Sequence, residues 1–557
     1  MSSVLSFDKS FIVVAYAAAF RYLASYANHP GGEVMAAKTD VIVVGSGHNG
    51  LVAAGYLAKA GKKVLVLERN DHFGGGVVTR ELTVPGFHHD QHSMAHIFIQ
   101  ANPLFKQDEL GLFKKYGLKY VFPESPMFSV FEDGTSIGQY RDPEKTAADI
   151  AKFSKKDAAA YLLLSKKAQQ LLPMVISQLF VPPAPMGAMA AAMDQSREGR
   201  EISRIMQMSS HDLLCDWFEN DKVRMHFARV SGEALVSPDD KATAAGVFVF
   251  VGFLESTGIG VPVGGSGALT RALIAMIEDR GGEVLAGVDV TKVPTQNGRA
   301  VGVRAADGRE WSAQEGVIGA FHPHVLGKIV DGLEPEVRES AERTHVSQIA
   351  CITLHASLNE PLRFRAGDHI KGAMIELLPD RYELLRKSFD ALRYGEFTST
   401  PLIGVGMLSS FDASRVPPGK AILHSWDYAP YSRPDGRSWD DTKAEYGQRM
   451  ITYMQKYFEN LTPQNILGTH IDSPLDMERT SSSFYRGDLH GIADNSYQRG
   501  SWRPTPDLGG YKVPKVERLY LVGPFQAPGG GVFGAGRATA MRMFEDLKLN
   551  FDKVAAA

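Results

Sequence analysis

Residues 40–68 restrict the fold more tightly than any other stretch. They read DVIVV, then Gly45-Ser46-Gly47-His48-Asn49-Gly50, then LVAAGYLAKAG, then KVLVL and Glu68. DVIVV is short, apolar and rich in β-branched residues, as a strand covered on both faces of a parallel sheet must be. Leu51, Ala54, Leu57 and Ala58 share one helical face, and Gly61 closes that helix. Strand, GxGxxG, helix, strand and acid in this order predict a dinucleotide-binding βαβ unit. Gly45 allows the tight turn out of the strand. Gly47 lets backbone approach a pyrophosphate, and Gly50 lets the helix pack close on the strand. Ser46 and Asn49 fill the same loop, at the positive end of the helix. Glu68 lies 18 positions after Gly50, near the ~20 expected for the acid that holds a ribose hydroxyl.

The next residues select among dinucleotides. Arg69 follows the acid, and Gly74-Gly75-Gly76 follows soon after. An NAD domain has no use for a second glycine-rich turn there. A cofactor with a ring system reaching past the pyrophosphate does need more close backbone approach, which favours FAD and makes Gly75 and Gly76 candidate contacts.

Other features bound the rest. At 557 residues the chain is long enough for about three or four folding units. Sixty basic and sixty-three acidic residues give a net charge of −3, so a nucleic-acid partner is not expected. The two cysteines, Cys215 and Cys351, exclude a disulfide framework and a cysteine-rich metal site. Residues 11–27 form an apolar run interrupted by Arg21, shorter than the ~20 residues that span a bilayer. A helical extension over 1–38 is expected, packed on the protein, on a second copy in a homo-oligomer, or on a membrane surface. The expected location is cytoplasmic, with membrane association through that helix as the alternative.

Three further segments repeat the close-backbone theme. Residues 262–290 read PVGGSGALTRALIAMIEDRGGEVLAGVDV, residues 301–323 read VGVRAADGREWSAQEGVIGAFHP, and residues 518–545 read RLYLVGPFQAPGGGVFGAGRATAMRMFE. With ERNDHFGGGVVTRELTVPGFHHD at 68–90, they resemble the phytoene-desaturase-like flavoproteins. These are the carotenoid dehydrogenase and isomerase group of the amine-oxidase-like superfamily, and the phytoene-dehydrogenase-related proteins are the subgroup most similar. The resemblance implies a mixed α/β and α+β fold. A Rossmann-like FAD-binding domain, discontinuous in sequence, stands beside a substrate-binding region of sheet and helices. The expected division is extension 1–38, FAD parts at 39–145, 255–335 and 510–557, a helical substrate or lid region at 146–254, and a substrate-binding region at 336–509. The resemblance also implies that Val290 clamps the adenine through its backbone. It places Gly523 near the pyrophosphate and ribityl chain, and Gly531, Val532 and Phe533 near the flavin ring.

The chemistry is then FAD-dependent dehydrogenation of an apolar or partly apolar small molecule, with hydride passing to flavin N5 and oxygen or a quinone as the final acceptor. Specificity is not legible, because no substrate-contacting residue stands out. Amine or alcohol oxidation, or redox-neutral isomerisation, are alternatives on the same scaffold. A non-enzymatic escort protein is a further one, opposed by the intact glycine loops. Candidate bases cluster in His88-His89-Asp90-Gln91-His92-Ser93-Met94-Ala95-His96. His92 and His96 are the catalytic candidates, and no metal is expected because the stretch begins as a loop. Tyr485, Arg486, His490 and Gln498 form a second group near the C-terminal motif. The segment 181–194 (VPPAPMGAMAAAMD) is expected as a loop or lid.

Overall fold

The computed structural model describes residues 39–557. The expected extension and its contacts lie outside the described residues.

The strand Thr39–Val44 pairs in parallel with Val64–Leu67 on one side and with the end of Glu310–Gly319 on the other. Glu283–Leu285 and Leu519–Leu521 extend this parallel sheet at its two sides. Val290–Lys292 and Gly302–Ala305 add an antiparallel end, making seven strands in all. Three distant stretches of chain thus build one sheet. Alternation decides its two faces. Val41 and Val43 pack with Leu51, Leu57, Leu269, Leu273 and Met276, from the helices His48–Lys59 and Gly267–Asp279. Ile42 points the other way, among Val303, Val317, Leu519 and Leu521. The helix Gly536–Asp546 crosses the first helix so closely that a Cβ on Gly536 would lie 1.9 Å from the Asn49 carbonyl oxygen. Only glycine fits there.

A second seven-stranded sheet runs in the order Ile466–Asp472, Ala350–Leu358, Ala421–Ala429, Gly404–Gly406, Gly372–Leu378, Ser125–Phe131, Ser136–Gln139. This corrects the expected boundary at residue 145. Ser125–Phe131 pairs in parallel with Gly372–Leu378, so 125–139 belongs to the second sheet and not to the cofactor sheet.

Helices cover this region between residues 143 and 256. Lys155–Leu179 starts at a Ser154 cap, which accepts from the Asp157 backbone N–H, and tolerates Pro173 within it. Met186–Met193 is a helix with no buried residue, in place of the expected loop or lid. Alanine and methionine are strong helix formers, and that preference prevails after Pro185. No helix among the described residues is long and apolar enough to cross a membrane.

Candidate active site

A cavity of about 560 Å³ lies where the glycine-rich turns meet the second sheet and the helices. Gly47, Asn49, Gly50, Gly75, Gly76, Gly523, Gly531, Val532 and Phe533 line it, and so does His92. Gly45, Ser46, Glu68, Arg69, Val290 and His96 do not. Val175, Leu179, Leu235, Val249, Phe250 and Met374 supply apolar lining, and Asp494 and Arg499 are charged groups in it.

The first motif builds its open end. The helix His48–Lys59 starts on Gly47, with no side chain capping its free N–H groups. A Cβ on Gly47 would meet no heavy atom within 4 Å, whereas one on Gly50 would lie 2.5 Å from the Gly45 carbonyl oxygen. The second glycine turn lies against the first. Gly47 and Gly74 form an isolated β-bridge, and a Cβ on Gly75 would lie 3.1 Å from Gly47 Cα. Glu68 is buried behind this loop and knits it together. Its Oε2 accepts from the Ser46 backbone N–H at 2.9 Å and from the Ser46 hydroxyl at 2.7 Å. Its Oε1 accepts from Asn70 N at 3.0 Å and Asn70 Nδ2 at 2.9 Å. Arg69 instead reaches the Arg479 carbonyl at 2.6 Å. Val290 is buried in its strand opposite Ala305.

The C-terminal turn builds the other glycine wall. A Cβ on Gly530 would run into His490, 2.4 Å from its Cα. Gly531 has φ +104°, a backbone state that side chains resist. The turn is tied to residues 98–102. Ile99 N donates to the Val532 carbonyl at 3.0 Å, and Asn102 Nδ2 donates to the Phe533 carbonyl at 2.8 Å. Phe533 stacks on Phe98 with ring centres 4.3 Å apart. The helix Gly536–Asp546 that follows also begins without a side-chain cap.

These features fit FAD. Two helix starts lack caps, and the Gly47 cradle would be filled by any Cβ. Asn49 Oδ1 and His48 Nε2 are buried with no hydrogen-bond partner, and buried polar groups in native structures have partners.

The two sequence-predicted histidines separate. His92 lines the cavity, stands edge-on to Phe484, and has no partner at either ring nitrogen. Burial draws its pKa down to about 4, against an opposing pull from Asp472. His96 is fixed instead. The Ser266 hydroxyl donates to the Ser93 carbonyl, so it accepts from His96 Nε2–H at 3.1 Å, and Nδ1 accepts from the Tyr120 hydroxyl at 2.7 Å. With both nitrogens engaged and no face on the cavity, His96 holds two segments together.

The second group also divides. His490 lines the cavity, Tyr485 stacks on His322, and Gln498 donates to the His345 carbonyl at 3.0 Å. Arg486 stands at φ +53° with its backbone N–H on Glu478. Among the described residues, no group of three or more His, Cys, Asp or Glu side chains is placed to hold a metal ion.

Sequence reading missed His424, Glu233 and Arg503, which all line the cavity. Glu233 Oε1 takes the Arg229 guanidinium at 2.7 Å, and Arg503 donates to the Pro524 carbonyl at 2.7 Å. No local motif marks any of them. His424 sits in the strand Ala421–Ala429, where alternation gives the face but not the neighbour.

Comparison with known proteins agrees with this geometry. A family model described as flavin containing amine oxidoreductase matches residues 50–545. A limonene dehydrogenase component from Castellaniella defragrans is 26% identical over 93% of this chain and 97% of that protein. A lycopene-forming phytoene desaturase of Pantoea ananas is 23% identical over 91% of this chain and 99% of its own length. The crystal structure of an oxidoreductase from Methanosarcina mazei superposes with a TM-score of 0.60 at 17% identity, covering 91% of this chain and all of that one.

Proposed function

The chain belongs to the flavin containing amine oxidoreductase family, and from that premise we propose a dehydrogenase of a compact, largely hydrocarbon molecule. That it is an FAD-dependent oxidoreductase follows from the family and from dehydrogenase and desaturase relatives along nearly its whole length. The apolar lining of the cavity carries the narrower reading. Burying a hydrocarbon against Val175, Leu179 and Phe250 stabilises the complex by ~25 cal/mol per Å².

In this reading the Gly45–Gly50 loop, with Ser46 and Asn49, holds the pyrophosphate at the uncapped helix start. Glu68 would reach a ribose hydroxyl by exchanging one of the donors it now receives from Ser46 and Asn70. Arg69 closes that end, the Val290 backbone meets the adenine, and Gly75 and Gly76 pass beside the phosphates. Gly523, Gly531, Val532 and Phe533 lie along the ring system. FAD, when bound, supplies the hydride acceptor at N5. The chain's own part is to orient the substrate against the apolar lining, exclude water, and offer a neutral imidazole. His92, a predicted candidate, lines the cavity with both nitrogens unpartnered and is available for a hydrogen bond to substrate or flavin.

Anaerobic mixing of purified protein with limonene, phytoene, alcohols and amines tests the reading. Bleaching of the flavin by a hydrocarbon is the expected result. Bleaching by amines alone overturns it in favour of an amine oxidase, with oxygen or a quinone identified afterwards as acceptor by reoxidation rate.

A further inference from the structure

We infer that His424 accepts the proton that leaves the substrate, and that His355 and His470 carry it across the second sheet to the protein surface. The inference rests on the dehydrogenase reading for the source of the proton.

The three histidines come from separate parts of the chain, yet the register aligns them. His355 stands directly opposite His424 on one neighbouring strand and directly opposite His470 on the other. Cross-strand partners share a face of the sheet. The row therefore runs over three adjacent strands, from the cavity to the edge strand Ile466–Asp472. Ring centres are 4.6 Å apart for His355–His424 and 6.1 Å for His355–His470.

Each member has the chemistry its place demands. His424 lines the cavity, and its Nδ1 lies 3.0 Å from the Asp90 carbonyl oxygen. A carbonyl only accepts, so Nδ1 carries the hydrogen and Nε2 keeps a lone pair. His355 is wholly buried, and neither of its nitrogens has a partner. Leaving a buried polar group unpaired is destabilising, a cost that an apolar side chain at this position would avoid. His470 is one-third exposed and meets Asp472 at 3.0 Å.

The charged and titratable surroundings suit a transient cation. His89 stands edge-on to His355, and the Asp472 carboxylate meets His470 and also favours a charge on His92. Asp90 and Asp472 favour a charge on His424, while Arg415 opposes it and burial keeps the resting ring neutral.

The balance is that of a dehydrogenation. One C–H bond breaks with its electron pair, as hydride to FAD. On the adjacent carbon a second C–H bond breaks, its electron pair forms the C=C bond, and its proton goes to His424 Nε2. Rotation of the His355 ring, or one intervening water, links His424 to His470, where the proton reaches solvent.

The test uses FAD-loaded full-length protein. With a panel compound that bleaches the wild type, His424→Ala lowers the anaerobic reduction rate by about 100-fold or more with FAD content unchanged, and free imidazole restores part of it. His424→Gln, which keeps an N–H for Asp90, is the second variant should Ala not fold. His355→Phe keeps single-turnover reduction but slows steady-state turnover. Wild-type reduction by both His424 variants, with flavin bleaching intact, overturns the assignment while leaving the dehydrogenase reading standing.

A second measurement needs no substrate. In protein labelled with ¹⁵N-histidine, the His355 ring N–H exchanges rapidly with solvent even in His424→Gln, and slows when His470→Leu is added. Survival of that N–H alongside the core amides refutes the route, whatever the panel shows. Failure of every panel compound to bleach the wild type refutes the dehydrogenase reading instead.

Discussion

Gly47 and Gly50 share one motif but have opposite environments, and alanine at each separates folding from cofactor binding. Gly47 has φ −58° and open space where its Cβ would go. Gly47→Ala therefore leaves the protein without cofactor within about 0.5 kcal/mol of the parent. The methyl group does enter the cradle beside the helix start. Losing one N–H bond to a charged phosphate costs ~1.5–3 kcal/mol. At ~1.4 kcal/mol per tenfold, FAD affinity falls about 10- to 100-fold, and Gly47→Val, with a branched side chain, strips the cofactor altogether. At Gly50 the added methyl would lie 2.5 Å from the Gly45 carbonyl oxygen and 3.4 Å from Val43 Cγ1. Backbone must move there, and Gly50→Ala costs about 1–3 kcal/mol with or without FAD. Thermal unfolding of both variants, scanned with rising FAD and compared with flavin absorbance of the purified protein, reads both effects. The parent gains ~2.7 kcal/mol at 100 Kd of ligand, and Gly47→Ala loses most of that gain. Parental FAD affinity in Gly47→Ala would refute the placement of the phosphate. Equal stability of Gly50→Ala and parent, both without FAD, would refute the helix–strand contact.

Glu68→Ala, unlike Gly47→Ala, is expected to damage the protein before the cofactor arrives, because it orphans the Ser46 and Asn70 donors that the carboxylate now receives. Urea unfolding without FAD should show a loss of about 1–3 kcal/mol. Arg415→Met is expected to be costlier, about 3–5 kcal/mol by the same assay, since it leaves the carboxylates of Asp90 and Asp412 buried without their guanidinium. Acid stability follows from the neutral histidines. His92 and His424 are each lowered from 6.5 to about 4, chiefly by burial, so the unfolded chain takes up protons that the folded one refuses. Their contribution is complete above about pH 6.5 and is lost as pH falls toward 4, each adding up to ~1.4 kcal/mol per pH unit. Unfolding of wild type and His424→Gln compared from pH 8 to pH 4 should differ by a constant amount above pH 6.5, and below it the wild type should lose stability faster by up to one proton.

The contrast between legible and hidden parts has a single physical origin. The nucleotide unit is readable because its constraints are local. Strand, turn, helix and acid lie within thirty residues, and Gly50 answers a clash with backbone five positions away while Gly47 leaves the helix start open. The turn before the helix at Gly536 is legible as a glycine turn at a helix start, but the placement of Gly531 and its neighbours beside the ring comes from the family resemblance. The second sheet offers no such statement. Ser125–Phe131 is wholly buried and reads only as an apolar run, and nothing in it names Gly372–Leu378 as its parallel partner. The same blindness hides the histidine row. His355 and His424 sit in strands buried along their whole length, and a row with His470 exists only once the register sets the three opposite one another. A slip of one residue on any of the three strands would turn its histidine to the other face. Dense local clustering, by contrast, draws attention to 88–96, where His96 proves to be a hydrogen-bonded tie and His92 a cavity residue. In this fold the cofactor is recognised by short-range backbone geometry, while the groups placed to move a proton are assembled by long-range strand pairing.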